Sequence, residues 1–235
     1  MAKKDTVNSL MQGQKNYIDE RIEKRRTMTV SNGYAWTRPN HIDDAIAKAD
    51  FLDYQLKFAG QAWGYLEFQT QTEEYGHCLL IIKGKQRIAN KFSPKKENQN
   101  SYLRKYAKIN TPYLDKYSTI DDANLISFPV QLELVSDKMM SEISEETERL
   151  EIDHFLIVAY EADSENNIIS VQVLMPDART GQLHLIQDLS EFIVTSPYQL
   201  SDEVYQNQPN FSELSDEETE SFDIIPRTVA EEQGN

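Results

Sequence analysis

The chain has one cysteine, few glycines and no long apolar run, and each of these shortages excludes a class of protein. A single cysteine, Cys78, permits no internal disulfide, and the apolar residues around it favour a buried thiol over a reactive one. The eight glycines form none of the glycine-rich loops that hold nucleotide phosphates. The N-terminus turns polar at once, and no apolar stretch has the length of a membrane span. We therefore expect a cytoplasmic protein in a reducing compartment, without a membrane partner.

Basic residues are scarce in the second half of the chain. Residues 1–110 contain 19 Lys and Arg against 12 Asp and Glu, whereas residues 111–235 contain 5 against 27. The net charge of −15 thus averages a basic part and a strongly acidic part. Because charge acts locally on binding partners, this asymmetry predicts two surfaces that attract different partners.

Motifs of catalysis and metal binding are also missing. The sequence has no nucleotide-binding glycine motif, no serine-hydrolase elbow and no zinc-protease helix motif. The acidic runs at 121–122 and 142–153 do not have the ligand spacing of an EF-hand. The histidines are too widely separated for a zinc motif: His41, His77, His154 and His184. We predict no catalytic residue, no metal site and no cofactor from these motifs.

Hydrophobic periodicity predicts helices and a hairpin in the first sixty residues. A helix over 5–26 has apolar residues on one face, interrupted by the polar segment Gln12-Gly13-Gln14. The dipeptide Asn32-Gly33 between two short β-rich segments predicts a tight hairpin turn. A second helix is expected to begin at Asn40 and to continue until Gly60 stops it.

The rest of the chain predicts mainly strands. Further helices are expected over 102–109, which Pro112 ends or kinks, and over 136–150. The predicted strands are 63–71, 77–83, 86–92, 125–135, 155–161, 168–174 and 183–187. Short turn-rich loops separate the last three strands and predict an antiparallel meander. The fold class is therefore α+β, a mainly antiparallel sheet of hairpins and a C-terminal meander packed by three to four helices.

Composition divides the chain into a body and a tail. The body spans 1–197 and contains a basic subregion, 1–118, and an acidic meander, 119–197. Within 200–235 ten acids face a single base, Arg227, which is typical of a mobile segment that orders on binding. One apolar and acidic tetrapeptide in this tail is a candidate docking motif for a basic groove: Phe222, Asp223, Ile224 and Ile225.

The strongest local charge lies within residues 83–108, which we call the basic strip. It contains nine bases against one acid, Glu97: Lys83, Lys85, Arg87, Lys91, Lys95, Lys96, Arg104, Lys105 and Lys108. Phe92, Tyr102 and Tyr106 lie among these bases, and nucleic-acid grooves combine cations for phosphates with aromatic rings for bases. The same strip is also suited to receive the acidic C-terminal part of this chain or of another subunit. Equally, the two tyrosines fit a helix face directed to the core.

One resemblance to an enzyme family rests on Asp53, Glu67 and Lys83, which follow a helix in that order. The arrangement resembles metal-dependent nucleases of the PD-(D/E)xK type, which place acids and a lysine on adjacent strands of a mixed sheet. The chain departs from that pattern because Ile81 stands two residues before Lys83, where the family has an acid, and Glu67-Phe68-Gln69 lacks the lysine. The resemblance thus implies a degenerate nuclease. A carboxylate with a perturbed pKa in a pocket near Glu67 would be the first structural sign of a catalytic site.

The sequence favours a non-enzymatic interaction or regulatory protein. In this hypothesis the acidic half docks on a basic surface of a nucleic-acid-handling protein or complex, as an inhibitor or a mimic of the phosphate backbone. Accessory and inhibitor proteins of mobile elements can act in this way. The first alternative is a nucleic-acid-binding protein that uses the basic strip, with the acidic tail beyond Pro197 as an internal competitor. The second is the nuclease, and assembly into a homo-oligomer stays open.

Overall fold

The structure is a computed structural model that describes residues 2–59, 63–85, 88, 102–116, 125–126 and 151–200. Four α-helices lie in these ranges: α1 Lys3–Thr27, α2 Arg38–Lys48, α3 Tyr102–Ala107 and α4 Thr111–Lys116. Seven β-strands accompany them: β1 Asp53–Ala59, β2 Trp63–Thr72, β3 Gly76–Gly84, β4 Leu125–Ile126, β5 His154–Ala162, β6 Ile168–Pro176 and β7 Leu183–Asp188. Three 3₁₀ segments complete the elements: Asn32–Thr37, Lys108–Asn110 and Ser190–Thr195.

The strands form one mixed, mostly antiparallel sheet. Their order is β1-β2-β3-β5-β6-β7-β4, and β3 with β5 is the one parallel pair. Two antiparallel units, β1-β2-β3 and β5-β6-β7, therefore lie side by side, and the second is the predicted C-terminal meander. The α+β class and the mainly antiparallel sheet are confirmed.

The centre of the sheet explains the two longest apolar runs of the sequence. Cys78–Gly84 of β3 pairs in parallel with His154–Tyr160 of β5, and helices cover both faces of this pair. A strand that is buried on both faces has no polar alternation, because each side chain enters a core. Runs such as Leu79–Ile82 therefore mark the middle of the sheet.

One core lies between the sheet and helices α1 and α2. Val7, Leu10 and Met11 of α1 and Ile42 and Ile46 of α2 are buried in it. The sheet contributes alternate residues of four strands: Phe68, Cys78, Leu80, Ile82, Leu156, Val158, Val171 and Val173. Burial raises the pKa of the Cys78 thiol to about 11, so this cysteine is a core residue, as predicted.

The second core lies on the opposite face, beneath α3. Its helix residues are Tyr102, Leu103 and Tyr106, all buried. The sheet contributes the residues that alternate with those of the first core: Tyr65, Leu79, Ile81, Phe155, Ile157, Ala159 and Leu174. The architecture is thus a sheet between two helical layers.

The polar residues that interrupt the apolar face of α1 are the ones that contact α2 and the β5–β6 loop. A Cβ atom on Gly13 would lie 2.6 Å from the backbone Cα of Ile42, so only glycine lets α1 and α2 approach this closely. Next to it, the buried Gln14 Nε2 donates to the backbone oxygen of Asn166 at 2.7 Å. The break in periodicity therefore marks the crossing of two helices and the attachment of the β5–β6 loop.

Two predictions in the N-terminal region are wrong. Asn32–Thr37 is a 3₁₀ segment that continues directly into α2, and no hairpin forms there. A hairpin of such short strands is not stable without a sheet to pair with, whereas this segment contacts α1 and α2. The predicted helix to Gly60 ends at Lys48, and Asp53–Ala59 is strand β1. Its alternation of polar and apolar residues has a period of two, which outweighs the partial helical spacing.

The other predicted elements are confirmed where the structure describes them, except that Ile88, within the predicted strand 86–92, is helical. Strands 63–71, 77–83, 155–161, 168–174 and 183–187 are found as β2, β3, β5, β6 and β7. After α3 the chain passes through a 3₁₀ segment, and Pro112 lies in the first turn of α4. The predicted strand 86–92, apart from Ile88, most of strand 125–135, helix 136–150 and the tail beyond 200 lie outside the described residues. Within the described ranges no helix combines the length and apolar character needed to cross a membrane.

Asn110 holds the first two strands of the meander, β5 and β6, in position. Its buried side-chain amide donates to the backbone oxygens of Phe155 and Pro176, both at 2.9 Å, and its Oδ1 accepts from the Phe155 N–H at 2.8 Å. These bonds satisfy three backbone groups beyond the last β5–β6 pair, Ile157 with Leu174.

We expect Asn110→Ala to destabilise the fold by ~3 kcal/mol or more, because it leaves buried backbone groups without partners. Urea unfolding followed by circular dichroism measures this change. Asn40→Ala, on the exposed side of α2, is the matched control and should change stability by less than ~0.5 kcal/mol. Equal effects of the two substitutions would contradict the role given to Asn110.

Candidate functional site

The structure describes five of the nine residues of the predicted basic strip. These are Lys83, Lys85, Arg104, Lys105 and Lys108, of which Lys108 is exposed and the others are partly buried. The remaining four, Arg87, Lys91, Lys95 and Lys96, lie outside the described residues. The docking motif Phe222, Asp223, Ile224 and Ile225 also lies outside them.

Two of the described lysines contact this chain itself. Lys85 Nζ lies 2.9 Å from Glu161 Oε2, which joins the end of β3 to the end of β5. Lys83 Nζ lies 5.5 Å from the ring centre of Tyr65 and 5.8 Å from that of Tyr102, within the range of cation–π attraction. The basic and acidic parts of the sequence therefore meet within one molecule at this end of the sheet.

The tyrosines of the strip lie in the core. Tyr102 is 1% exposed and Tyr106 is 2% exposed, and both pack beneath the sheet in the second core. Rings at this depth cannot stack on nucleic-acid bases, which need an open aromatic face. The sequence allowed these tyrosines either to stack on bases or to face the core. The structure places them in the core.

A buried polar cluster lies where β2 and β3 separate. The carboxylate of Glu67 accepts hydrogen bonds from the Tyr65 hydroxyl, at 3.1 Å, and from the Tyr106 hydroxyl. Burial, Tyr65 and Glu67 together raise the pKa of Tyr106 well above its usual value, so its hydroxyl stays a donor. Lys83 borders the same group through the Tyr65 ring.

Asp43 of α2 reaches the same separation from the other face of the sheet. Pairing of β2 with β3 runs from Thr72 and Gly76 to Phe68 and Leu80, and two residues further the Leu66 N–H donates to Asp43 Oδ2 at 3.3 Å. Burial raises the pKa of Asp43 to about 6, against the opposing effects of Lys83 and of the Leu66 N–H. In the sequence, this residue is marked only as an acid in the first turn of a predicted helix.

The secondary structure agrees with the arrangement expected for the nuclease family, but the side chains do not. Glu67 and Lys83 do lie on adjacent strands of a mixed sheet that follows a helix. Ile81, however, is buried in the second core, and Asp53 is exposed on β1, two register positions from Gln55, which pairs with Glu67. Two tyrosine hydroxyls already occupy one oxygen of Glu67.

These residues do not fit a divalent metal. A hydrolytic metal site needs carboxylate oxygens that converge on one open position, whereas Glu67 is enclosed and Asp53 points to solvent elsewhere. Within the described ranges no three His, Cys, Asp or Glu side chains are grouped closely enough to hold a metal ion. Asp43 has a raised pKa near Glu67, but it lies on the other face of the sheet and its Oδ2 accepts from the Leu66 N–H. Cleavage of nucleic acid therefore stays a prediction that this cluster does not support.

Acidic side chains gather at the end of the sheet where β5 and β7 end. Because β5 and β7 both run antiparallel to β6, their carboxyl ends lie at the same edge. We call the acids there the acidic end: Glu161, Asp163, Glu165, Asp188 and Glu191. Glu165 and Glu191 are exposed and form no ion pair with a described residue, whereas Glu161 is paired with Lys85. Residues 151–200 contain one base, Arg179, in the loop at the opposite end.

A cluster of basic residues lies at the end of α1 and in the segment that follows it. Residues 24–40, which we call the helix tip, contain Lys24, Arg25, Arg26 and Arg38 and no acid. Arg25 and Arg26 are exposed, and Lys24 Nζ lies 5.6 Å from the ring centre of Tyr34. Lys24, Arg25 and Arg26 also lie in the last turn of α1, where cations interact favourably with the helix dipole.

We expect Asp43→Asn to stabilise the protein at neutral pH and not at pH 4. The folded-state pKa of about 6 lies above the ordinary value of 3.8, so the folded chain binds more protons than the unfolded chain between these values. The Asp43 contribution to stability therefore falls as pH rises from about 4 to about 6. Asparagine avoids this loss and keeps an acceptor for the Leu66 N–H.

Urea unfolding of the variant and the wild type from pH 4 to pH 7 measures the difference, which should grow to on the order of 2 kcal/mol. Asp44→Asn is the matched control, because Asp44 is exposed and pairs with Lys48 on the surface. A difference that does not vary with pH would show that Asp43 titrates normally.

Comparison of the chain with protein-family models, curated proteins and solved structures gave no match.

Proposed function

We propose that this protein is a non-enzymatic binding protein whose acidic end docks on a basic surface of a nucleic-acid-handling protein. The observation that supports this proposal is the collection of five acids at one end of the sheet, where Lys85 pairs with Glu161 and Arg38 donates to Asn166 of the β5–β6 loop. Charges that are left unneutralised on a rigid sheet edge attract and orient a partner of opposite sign. The acidic end would then occupy the groove that otherwise holds a phosphate backbone.

The fixed placement of these acids favours recognition. The Asp163 carboxylate accepts from the N–H groups of Glu165 and Asn167, at 2.8 and 2.9 Å, and so fixes the β5–β6 loop. Asp188 accepts from the Ser190 N–H at 2.8 Å and fixes the turn after β7. Because these contacts order the backbone before binding, less conformational entropy is lost when a partner docks.

Charge reversal at the acidic end tests the proposal. Glu165→Lys with Glu191→Lys should weaken displacement of a labelled DNA duplex from a susceptible basic DNA-binding protein by at least ~10-fold, since each interfacial charge pair contributes on the order of 1 kcal/mol. The measurement is fluorescence anisotropy across a panel of nucleases, helicases and recombinases.

The matched control is Glu73→Lys with Glu151→Lys, which makes the same change of net charge at the opposite end of the sheet. It should leave displacement within ~2-fold of the wild type. The proposal fails if both double variants lose activity equally, because the effect would then follow net charge, or if the wild type displaces DNA from no member of the panel.

A second function, direct binding of nucleic acid, is favoured by the helix tip. Its exposed Arg25 and Arg26 can reach phosphates, and the partly buried Tyr34 and Trp36 lie on the adjoining 3₁₀ segment. This surface differs from the predicted strip, where Tyr102 and Tyr106 are in the core.

For this second function, a chain ending at Leu200 should bind labelled single-stranded DNA or RNA more tightly than the full chain, with a strong salt dependence. The end is set after Leu200 instead of Pro197 because Tyr198 packs against the core. Arg25→Ala with Arg26→Ala should reduce the slope of log affinity against log salt by about 1 to 2. Lys3→Ala with Lys4→Ala, exposed at the start of the same helix, should not. Absence of binding by either chain length would exclude this function.

A further inference from the structure

Strand β1 ends the sheet with a row of exposed apolar side chains. Tyr54 is 51% exposed, Leu56 is 59% exposed and Phe58 is 55% exposed, and all three lie on the face that α1 and α2 cover over the central strands. Gly64 lies opposite Phe58 on β2 and has no side chain to shield the row. Three large apolar residues in line on an edge strand form a docking surface or an aggregation hazard.

The backbone of β1 can accept another strand in a defined register. The Leu66 N–H donates to Asp43, so in β2 the N–H groups of even-numbered residues point away from β1. Leu56 lies opposite Leu66, and these two residues therefore form a non-hydrogen-bonded pair between β1 and β2. It follows that the backbone N–H and C=O groups of Tyr54, Leu56 and Phe58 point outward from the sheet.

We propose that β1 is a homodimer interface, in which a second copy of this chain adds its own β1 in antiparallel orientation about a two-fold axis at Leu56. Leu56 then faces Leu56 of the partner subunit, and Tyr54 faces the partner's Phe58. In this register the outward backbone groups of each pair exchange both hydrogen bonds. The two sheets become one continuous sheet with a shared apolar stripe. This inference does not depend on the proposed function.

The sequence of β1 is complementary to itself in this orientation, which is the reason to assign a second copy as the occupant. On the apolar face each aromatic ring meets an aromatic ring, a favourable cross-strand pair. On the other face Gln55 meets the partner's Lys57, so that no like charges face each other. A two-fold interface needs this self-complementarity, and an unrelated partner strand does not.

A dimer of this form carries two acidic ends. Since the acidic end lies on β5, β7 and their loops, β1 pairing leaves it uncovered in both subunits. A partner with two basic sites would be held by both subunits at once, which raises the overall affinity without a new contact.

Disulfide formation between two single variants of the full chain tests the register. Gln55→Cys and Lys57→Cys face each other across the two-fold axis as a pair with Cα atoms about 4.5 Å apart, a separation that a disulfide spans. An oxidised mixture of the two variants should give a covalent dimer. Each variant alone should not, because identical positions then lie about 7–8 Å apart. The native Cys78 is buried and does not compete.

Analytical ultracentrifugation of the full chain provides a second measurement. The wild type should be a dimer at micromolar concentration, and Leu56→Lys should weaken the dimer at least ~10-fold with an unchanged circular dichroism spectrum. Val194→Lys is the matched control, because Val194 is 82% exposed on the 3₁₀ segment after β7. It should leave the dimer intact.

Two results would overturn the proposal. The first is a monomeric wild type; if a chain ending at Leu200 then dimerises, residues 201–235 occupy the β1 edge instead of a second copy. The second is a covalent dimer formed equally by either cysteine variant alone, which would indicate random encounters.

Discussion

The parallel pairing of β3 with β5 is the constraint on which the rest of the structure depends. It joins the antiparallel unit of the basic part to the antiparallel unit of the acidic part, and its apolar side chains supply both cores. A parallel pair cannot be closed by a hairpin, so the chain between the two strands must cross one face of the sheet. The described part of that crossover includes α3, which covers the second core. The position of α3 thus follows from this one pairing.

The same junction sets the chemistry of the polar residues around it. Where β2 leaves β3, polar groups from both faces fill the gap, with Asp43 on one side and Glu67 with its tyrosines on the other. Each carboxylate is held by donors of this chain, which makes the cluster a means of ending the β2–β3 pairing. A site for a metal or a nucleic-acid phosphate would need those oxygens to be open. The fold therefore uses its buried acids for structure and its exposed acids for surface charge.

Charge and exposure together divide the surface into three regions of different character. The acidic end has unneutralised carboxylates on a fixed frame, the helix tip has exposed arginines, and β1 has an apolar row. The helix tip and the acidic end adjoin through Arg38, which donates to Asn166 of the β5–β6 loop, whereas β1 is an edge strand of the sheet. The charge split of the sequence does not make two separate bodies, because Lys85 and Glu161 form an ion pair across the central strands.

Much of the fold was determined by the sequence alone, since local patterns carry it: the period of α1, the apolar runs of β3 and β5, and the turn-rich loops of the meander all predicted the observed elements. Where local patterns were ambiguous, tertiary contacts decided the secondary structure and the burial of the side chains. Leu52 and Leu56 fit a helical face by spacing, yet a strand formed at 53–59 because β2 offered a pairing partner. Similarly, Tyr102 and Tyr106 among basic residues fitted a stacking surface, and only packing against β3 and β5 placed them in the core. Asp43 joins the polar cluster because α2 packs against β2, more than twenty residues away in the sequence. The spacing of residues in the sequence does not predict a contact of this kind.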